Sequence, residues 1–486
     1  MQPILIGGEW REGAGAPIVS TYPADGSVNA EVSSATAEDV DRAAQAGHKA
    51  ASDPAWRDLK PHERARFLYR ISDLIAARAE ELAKLQTRDN GKPIGETRAL
   101  VASASGTFRY FGAACETMED LITPSRGPFI TMSVHEPMGV IAAITPWNSP
   151  IASDAQKLAP ALAGGNAVML KPSQVTPLVA LELGRICLEA GLPPGLVSIL
   201  PGSGGVVGDA MVRHPLVKKV AFTGGTTTGR EIARIAAEKL MPVSLELGGK
   251  SPTIVFADAD IDHAVNGVIF GIFSSSGESC IAGSRLFVER KIYDAFLDKL
   301  IAKTRALKVG DPTDPATHMG PLVSQDHRKR IERYVDLGKA EGGEILCGGT
   351  RPAGKALEKG SFYLPTVFAG LANRARISQE EIFGPVLIVI PFDTEDDLIS
   401  QANDTVYGLA CGIWTTGFKR AWRVARRIEA GTVWINTYKL FSISTPFGGF
   451  KESGLGREKG RAGMLQYMNQ KSLYWGMNEA PMPWAD

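Results

Sequence analysis

From residue 139 onward the chain repeats one unit, a short apolar run ended by Gly, Pro or Ser and followed by a helical stretch. The apolar runs include GVIAAITPWN, NAVMLKPS, LVSILPG, KKVAFTGG, PVSLELGG and SPTIVFA. Helical stretches such as PLVALELGRICLEAGL and GREIARIAAEKLM lie between them. Alternation of strands and helices is typical of a doubly wound parallel sheet, so the pattern predicts an α/β fold.

A second alternating region runs from about residue 262 to 450, and its apolar runs include SRLFVE, PVLIVIPF and AGTVWINT. Because a chain of 486 residues is too long for one core, two doubly wound domains are predicted. Residues 38–118 carry a 3.6-residue apolar period and are predicted to be mainly helical. The segments at 130–137 and 471–477 fit neither half and are predicted to be strands added at an edge between subunits.

Composition excludes several classes of function. The 53 basic and 53 acidic side chains give a net charge of +0, so nothing favours binding to nucleic acid or to an anionic membrane. No apolar stretch approaches the ~18 residues of a membrane span, and the N-terminus lacks the basic region of a signal peptide. The five cysteines are scattered and form no CxxC pair, which indicates reduced thiols, as in a cytoplasmic protein. The chain also lacks an HExxH motif, so no metal site is indicated.

Cys280 stands out among these thiols because it lies in SSSGESCIAGSR, where serine and glycine replace apolar neighbours. A thiol in such a polar loop is a candidate nucleophile if a base removes its proton and donors stabilise the charge that it creates. The alternative is a small structural side chain, the commoner role of a lone cysteine.

Four predicted strand ends carry further groups suited to chemistry. Asn148 follows ITPW as a neutral donor for an oxyanion, Lys171 in LKPSQ suits hydroxyls or phosphate, and Glu246 in LELGGKSP is a carboxylate among apolar residues. The glycine-bounded turn at 224–229 precedes a helix and could bind an anion. Each of these groups could instead have only a structural role, as a turn residue, a solvated side chain or a helix cap. Neither this turn nor GGKS at 248–251 matches a P-loop, which argues against a nucleotide kinase.

In order along the chain, seven motifs resemble those of the aldehyde dehydrogenase superfamily: PWN, KPSQ, FTGGTTTG, ELGGKSP, GESCIAGSR, EEIFGPV and PFGGFKESGLGRE. The resemblance implies a non-acylating enzyme that oxidises an aldehyde to the carboxylic acid with NAD or NADP. It implies a Rossmann-like cofactor domain (1–118 and 138–248), a catalytic domain (249–452) and a small β oligomerisation extension (119–137 and 468–486). A homodimer or homotetramer is expected.

The resemblance also implies catalytic roles. Cys280 attacks the aldehyde carbonyl to give a thiohemiacetal, whose oxyanion is stabilised by Asn148 and the backbone N–H of Cys280. Hydride transfer to the dinucleotide leaves a thioester, and Glu246 activates the water that hydrolyses it. Lys157 helps to move protons. No metal is expected.

The dinucleotide site implied by the resemblance, with NAD favoured over NADP, comprises Ile144, Thr145, Pro146, Trp147, Lys171, Ser173, Gln174, Gly204, Phe222, Thr223, Gly224, Gly225, Thr228, Gly229, Leu247, Glu381 and Phe383. Lys171 and Ser173 are expected at the adenosine ribose, Glu381 at the nicotinamide ribose and Phe383 against the nicotinamide ring. Gln174 stands where NAD-preferring members often carry glutamate. Without that charge a 2′-phosphate is not repelled, so NADP is also allowed.

The expected substrate is a polar or carboxylate-bearing small-molecule aldehyde. The implied tunnel is lined by Ser149, Ser153, Gln156, Lys439, Phe441 and Phe447, with Ser103 nearby. Polar walls favour a polar substrate, and Lys439 is the candidate counter-charge for a carboxylate unless it is a solvated surface lysine. The alternatives for the whole chain are a thiol esterase or hydrolase without a dinucleotide and a catalytically silent structural relative.

Overall fold

The structure, a computed structural model, describes residues 1–479. The strands of this part of the chain are β1 Ile4–Ile6, β2 Glu9–Arg11, β3 Gly15–Thr21, β4 Val28–Ser34, β5 Leu121–Thr123, β6 Phe129–Pro137, β7 Val140–Ile144, β8 Ala167–Lys171, β9 Val197–Ile199, β10 Val217–Thr223, β11 Val243–Glu246, β12 Pro252–Val255, β13 Arg285–Glu289, β14 Glu344–Cys347, β15 Thr366–Ala369, β16 Val386–Phe392, β17 Tyr407–Gly408, β18 Ala410–Trp414, β19 Thr432–Ile435, β20 Phe450–Lys451, β21 Gly454–Leu455 and β22 Met468–Gly476.

The α-helices of the same residues are α1 Ala37–Ser52, α2 Pro54–Arg57, α3 Pro61–Ala77, α4 Ala79–Asn90, α5 Ile94–Glu116, α6 Pro150–Ala163, α7 Leu178–Glu189, α8 Asp209–Arg213, α9 Thr226–Glu238, α10 Ile261–Phe273, α11 Tyr293–Arg305, α12 Gln325–Ala340, α13 Arg376–Gln379, α14 Glu395–Asn403, α15 Phe418–Arg427 and α16 Gly460–Leu465. Local sequence sets several of their starts. Thr36 and Asp39 form a capping box at α1, and Pro150 occupies the first turn of α6, where its missing N–H is not needed.

The first large sheet has the strand order β2-β1-β9-β8-β7-β10-β11-β21. The central strands β9, β8, β7, β10 and β11 are parallel, whereas β2, β1 and β21 join antiparallel at the edges. All residues of β7 and β8 are buried, because helices cover both faces of the sheet. One helical layer contributes Leu68, Phe108 and Leu158 to the core, and the opposite layer contributes Val40 and Ile232.

The second large sheet has the order β14-β15-β16-β13-β12-β18-β19, and only the edge strand β14 is antiparallel. The loop from α10 to β13 carries Cys280 to the end of this sheet that faces the first one. Arg285, fully buried at the start of β13, anchors the end of that loop by donating hydrogen bonds to the carbonyls of Lys250 and Ala402 and to Oδ1 of Asn373.

A third, three-stranded sheet has the order β22-β6-β5. It contains both of the predicted added segments: β6 and β22 pair antiparallel along their whole length, from Phe129↔Gly476 to Pro137↔Met468. The last part of the predicted oligomerisation segment, 480–486, lies outside the described residues. The predicted α/β class with two parallel sheets is confirmed, while the domain boundaries stay a prediction. In residues 1–479 no helix is long and apolar enough to cross a membrane.

Candidate active site

Cys280 follows a tight turn formed by Ser274–Gly277. Ser275 and Ser276 have φ angles of 58° and 52°, in the left-handed region that L-residues rarely adopt, and Gly277 has a φ of 72°. A Cβ at Gly277 would lie 2.3 Å from the carbonyl carbon of Gly384, so only glycine fits. The turn directs the chain so that the thiol reaches the cleft between the two large sheets.

Side chains from elsewhere hold this turn in place. Glu96, in the first turn of α5, accepts hydrogen bonds from the Ser275 N–H (2.7 Å) and from Ser275 Oγ (2.6 Å). Ser276 Oγ donates to the Gly320 carbonyl at 2.9 Å. Left-handed backbone at non-glycine residues costs about 1–3 kcal/mol each, so it persists only where surrounding contacts compensate. Sequence analysis missed Glu96, because its partner is 179 residues away.

The cleft has a volume of about 190 Å³ and brings together the predicted catalytic residues Cys280, Glu246 and Asn148. Asn148 Nδ2 donates to the Glu278 carbonyl at 3.0 Å, which fixes the amide against the loop of the thiol. Further predicted residues that line the cleft are Pro146, Trp147, Thr223, Gly224, Gly225, Leu247, Glu381 and Phe383. A nucleophile, a carboxylate and a neutral N–H donor therefore share one small space.

Glu246 ends β11 and is only 5% exposed. Neither of its carboxyl oxygens has a hydrogen-bond partner within residues 1–479. Desolvation and the nearby Glu458 raise the pKa of the Glu246 carboxyl well above its ordinary value, against the opposing effect of Lys157, Arg457 and Lys459. A raised pKa makes the carboxylate a stronger base, as general-base catalysis near neutral pH requires.

Lys157 is fully buried in α6, and its ammonium pairs with the carboxylate of Glu458. Burial of both partners means that neither is screened by solvent. Because Glu458 also acts electrostatically on Glu246, the pair continues the line of ionisable groups from the cleft into the protein. Glu458 is the last residue of the PFGGFKESGLGRE motif, yet its pairing with Lys157 across 301 residues has no local signal.

The Cys280 thiol is partly exposed at the bottom of the cleft. Desolvation raises its pKa to about 12; Glu381 and Glu246 add to this effect, and Lys439 opposes it. The resting side chain is therefore the neutral thiol, and attack on a carbonyl requires a base that takes its proton.

The end of β10 fits the phosphates of a dinucleotide. Helix α9 begins directly after Gly225, and its first N–H groups are free to bind an anion. A Cβ built at Gly225 would meet no atom within 4 Å, which leaves open space at the helix start. A Cβ at Gly224 would lie 2.5 Å from the Phe222 ring, and one at Gly229 2.4 Å from Leu247, so these glycines allow close packing around the turn.

A second pocket of about 520 Å³ lies beyond β8 and is lined by Gln174, Ser203 and Val206 together with parts of β3 and β4. Its size suits a nucleoside. Lys171 is buried nearby, where it donates to the Pro172 carbonyl at 3.0 Å, and desolvation lowers its pKa to about 8. Ser173 Oγ accepts from the Val175 N–H.

Glu381 and Phe383 form the other wall of the cleft. Glu381 Oε1 accepts from the Gly249 N–H at 2.9 Å. Phe383, at a φ of 62°, stands edge-on to Trp147 with ring centroids 5.2 Å apart. His327, which sequence analysis missed, bonds the Phe383 carbonyl through Nε2 at 2.7 Å, and desolvation lowers its pKa to about 4.

Eight predicted dinucleotide residues line neither cleft: Ile144, Thr145, Lys171, Ser173, Gly204, Phe222, Thr228 and Gly229. Ile144 and Thr145 are buried at the end of β7, whereas Gly204 and Thr228 are exposed, on a π-helical turn and on α9 respectively. The structure thus gathers most of the predicted set around the carboxyl ends of the first sheet, where open α/β sheets bind ligands.

Helix α6 has one half-exposed polar face, and its residues are not among those that line the cleft of Cys280. Most of its side chains are buried, and the half-exposed positions are the predicted residues Ser153 and Gln156, with Ser149 at its N-cap. These positions are four and three residues apart, so they share a face.

Lys439 is half-buried rather than solvated, and its Nζ donates to Ser274 Oγ at 2.8 Å. Phe441 and Phe447 contact each other edge to face, with centroids 5.5 Å apart. Lys439 acts electrostatically on the Cys280 thiol, so this group also adjoins the reaction centre.

Comparison with known proteins places these features in context. Residues 10–473 match the model of the Aldehyde dehydrogenase family. Betaine aldehyde dehydrogenase of Mesorhizobium japonicum is 44% identical over 471 residues, 97% of this chain and 96% of the relative. The corresponding protein of Brucella melitensis is 43% identical over 482 residues, 99% of this chain and 98% of the relative.

Solved structures give the same result. The NAD+ complex of an aldehyde dehydrogenase from Bacillus cereus has a TM-score of 0.96 and 40% identity, covering 98% of this chain and 97% of that one. Betaine aldehyde dehydrogenase from Staphylococcus aureus in complex with NAD+ has a TM-score of 0.97 and 38% identity, covering 99% and 96%. Within residues 1–479 no group of three or more His, Cys, Asp or Glu side chains is arranged to hold a metal ion.

Proposed function

Since this chain belongs to the aldehyde dehydrogenase family and oxidises an aldehyde to the carboxylic acid with NAD or NADP, we propose that the reaction takes place at Cys280, Glu246 and Asn148. The match confirms the predicted family and reaction class. The observation that supports the site is the meeting of these three side chains, which come from different elements, in one cleft.

In the first step Glu246 takes the proton of the Cys280 thiol, and the sulfur adds to the aldehyde carbon. The oxyanion that forms accepts hydrogen bonds from the Cys280 N–H and from Asn148. One N–H of the Asn148 amide is occupied by the Glu278 carbonyl, which leaves the other to donate to the oxyanion.

A bound NAD or NADP supplies the hydride acceptor, and this chain's residues position it. The start of α9 would hold the phosphates, and Glu381, Phe383 and Trp147, which line the cleft, would hold the nicotinamide end. Glu246 releases the proton of the thiol to solvent, and then removes a proton from the water that attacks the thioester on Cys280. Covalent catalysis divides one difficult oxidation and hydrolysis into two easier steps.

The substrate is a polar aldehyde. The polar face of α6 supports this class, because Ser153 and Gln156 lose hydrogen bonds to water unless the substrate replaces them. The relatives are named for betaine aldehyde, which is also polar and carries a quaternary ammonium group.

NAD is the favoured dinucleotide, with NADP also accepted. Solved relatives are NAD+ complexes. Gln174 is exposed at the rim of the nucleoside pocket and brings no charge that would repel a 2′-phosphate.

The chain is a cytoplasmic homodimer or homotetramer that associates through the β22-β6-β5 sheet. The edge strand β5 supports this, since Ile122 is 79% exposed there and β5 leaves one row of backbone groups unpaired. On β22, Tyr474 and Trp475 are exposed as well. Light scattering of the protein as it elutes from a size-exclusion column measures the oligomeric state. A monomer at micromolar concentration contradicts the proposed association.

The test of the reaction is Cys280→Ala, assayed by absorbance of the reduced nicotinamide with NAD or NADP and a panel of aldehydes. We expect turnover to be lost while dinucleotide binding persists, because the thiol lies apart from the phosphate and nucleoside sites. Cys347→Ala, a thiol in the edge strand β14, is the matched control and should keep full activity. Retained turnover in the Cys280 variant excludes the proposal, and ester hydrolysis without dinucleotide use favours a thiol esterase.

A further inference from the structure

A second lysine, Lys459, adjoins the candidate substrate site. It is only 7% exposed, and its Nζ lies 3.7 Å from the ring centroid of Phe441 and 5.5 Å from that of Phe447. Throughout residues 1–479, no carbonyl or carboxylate accepts a hydrogen bond from this ammonium. A buried cation held only by aromatic faces has lost most of its hydration without gaining an anion.

The backbone holds Lys459 in an unusual conformation, with a φ of 61° in the left-handed region. The carboxylate of its neighbour Glu458 is the strongest charge acting on Lys459, but its direct ion pair is with Lys157, so Lys459 has no ion pair of its own among the described residues. Lys459 interacts electrostatically with both Cys280 and Glu246, and its aromatic neighbour Phe447 packs against the same apolar cluster as Cys280.

Lys439 brings a second ammonium to the same thiol. Its direct partner is the Ser274 hydroxyl, a neutral group. The carboxylate of Glu96 lies within electrostatic reach but is occupied by the Ser275 N–H and Oγ. Two half-buried or buried cations therefore adjoin Cys280, and neither forms an ion pair within the described part of the chain.

We propose that Lys459 binds the carboxylate of the substrate and that Lys439 adds electrostatic attraction for it, so that this enzyme prefers an aldehyde acid to a neutral or cationic aldehyde. The inference rests on the proposed function at Cys280. The carboxylate supplies the anion that both ammonium groups lack, and the faces of Phe441 and Phe447 contact the carbon chain between the carboxylate and the aldehyde.

The same charges disfavour the cation for which the relatives are named. Betaine aldehyde would bring a quaternary ammonium against Lys459 and Lys439 in a partly desolvated site, where like charges repel strongly. The chain is thus expected to differ in substrate from relatives that share about 44% of its residues.

The experiment compares kcat/KM for succinic semialdehyde, for butanal as its neutral counterpart of equal length, and for betaine aldehyde. We expect the wild type to prefer the aldehyde acid. Lys459→Met and Lys439→Met should each lower its kcat/KM about ten- to hundred-fold, mainly through KM, as loss of a charged hydrogen bond implies. The loss for butanal should be much smaller than that for the aldehyde acid, since it reports only the effect of each lysine on Cys280 and Glu246, and Lys459→Arg should retain most of the preference. Lys291→Met, at an exposed lysine, is the control.

A binding measurement separates this inference from the proposed reaction. Succinate, which carries the carboxylate without the aldehyde, should slow alkylation of Cys280 by iodoacetamide in the wild type and not in Lys459→Met. Protection without any aldehyde oxidation supports the anion site and excludes the proposed reaction. Oxidation of butanal and betaine aldehyde at least as efficiently as succinic semialdehyde overturns the anion site alone. Equal losses for acid and neutral aldehydes in both lysine variants also overturn it.

Discussion

Glu96 offers the sharpest test of how the nucleophile loop is held. Its carboxylate accepts from both the N–H and the Oγ of Ser275, at 2.7 Å and 2.6 Å. Ser275 and the following Ser276 are both in left-handed backbone, and Cys280 lies four residues beyond. Replacing Glu96 by Ala removes both bonds, whereas Glu96→Gln keeps an acceptor for the Ser275 N–H.

The magnitude follows from these contacts. Hydrogen bonds to a charged group contribute about 1.5–3 kcal/mol each, so two give about 3–6 kcal/mol before water replaces part of the loss. Since Glu96 is partly exposed, we expect Glu96→Ala to lower the free energy of unfolding by roughly half of that, about 2–3 kcal/mol. We expect Glu96→Gln to cost about 1 kcal/mol. Displacement of a catalytic group by about 1 Å costs up to about a hundred-fold in rate, so kcat should fall further than stability suggests.

Two assays measure the consequence: the midpoint of thermal unfolding, and kcat with a good aldehyde at saturating NAD. The rate of Cys280 alkylation gives a third reading, which should rise as the loop loosens. Glu80→Ala, which removes an exposed carboxylate paired with Arg98 at the surface, is the control and should change little.

A Glu96→Ala enzyme with wild-type kcat and wild-type thiol reactivity would refute the argument that this carboxylate fixes the loop. Loss of stability with unchanged kcat would show that Glu96 contributes to folding only. The graded order wild type, Gln, Ala in all three measurements is the expected result.

Three further predictions concern the reaction and its ligands. Glu246→Gln should slow hydrolysis of the thioester more than hydride transfer, which gives a rapid burst of NADH followed by slow turnover; a wild-type steady-state rate would show that another base serves. Gln174→Glu should raise discrimination against NADP, measured as the ratio of kcat/KM values; an unchanged ratio would mean that Gln174 does not face the 2′-position. Desolvation lowers the pKa values of Lys439 and Lys459 to about 8, so both lose their charge as pH rises through 8. The kcat/KM for succinic semialdehyde should therefore fall above pH 8 relative to that for butanal, and parallel profiles would contradict this.

Residues in contiguous motifs could be found from sequence, and residues that act through distant pairing could not. Cys280, Glu246 and Asn148 each follow a strand or turn pattern that marks the end of a parallel sheet, so their types and positions were informative. The positions of Glu458 and Lys459 were not informative, because a charged residue in a glycine-rich loop is predicted to be solvated unless its partner is known. Burial of Lys459 depends on Phe441 and Phe447, whose aromatic faces enclose it only in the folded chain.

The strands also differ in how well the sequence predicts them. The long apolar runs of the central parallel strands carry a strong local signal, as in β7 and β8. The three-residue strands β1 and β2 carry almost none, since strands so short have no period to detect. They exist because β1 pairs antiparallel with β9, in the register Leu5↔Ile199. Tertiary contacts, rather than propensity, decide such strands.

The high pKa of the Cys280 thiol protects the enzyme between turnovers. Peroxides and alkylating agents react with the thiolate, and burial raises the pKa of the Cys280 thiol so that the neutral form predominates at pH 7. Oxidation to the sulfenic acid, which would end activity, is slower when less of the thiolate is present. Surroundings that keep the sulfur protonated until a base acts on it thus lengthen the working life of a side chain that the reaction needs in its reduced form.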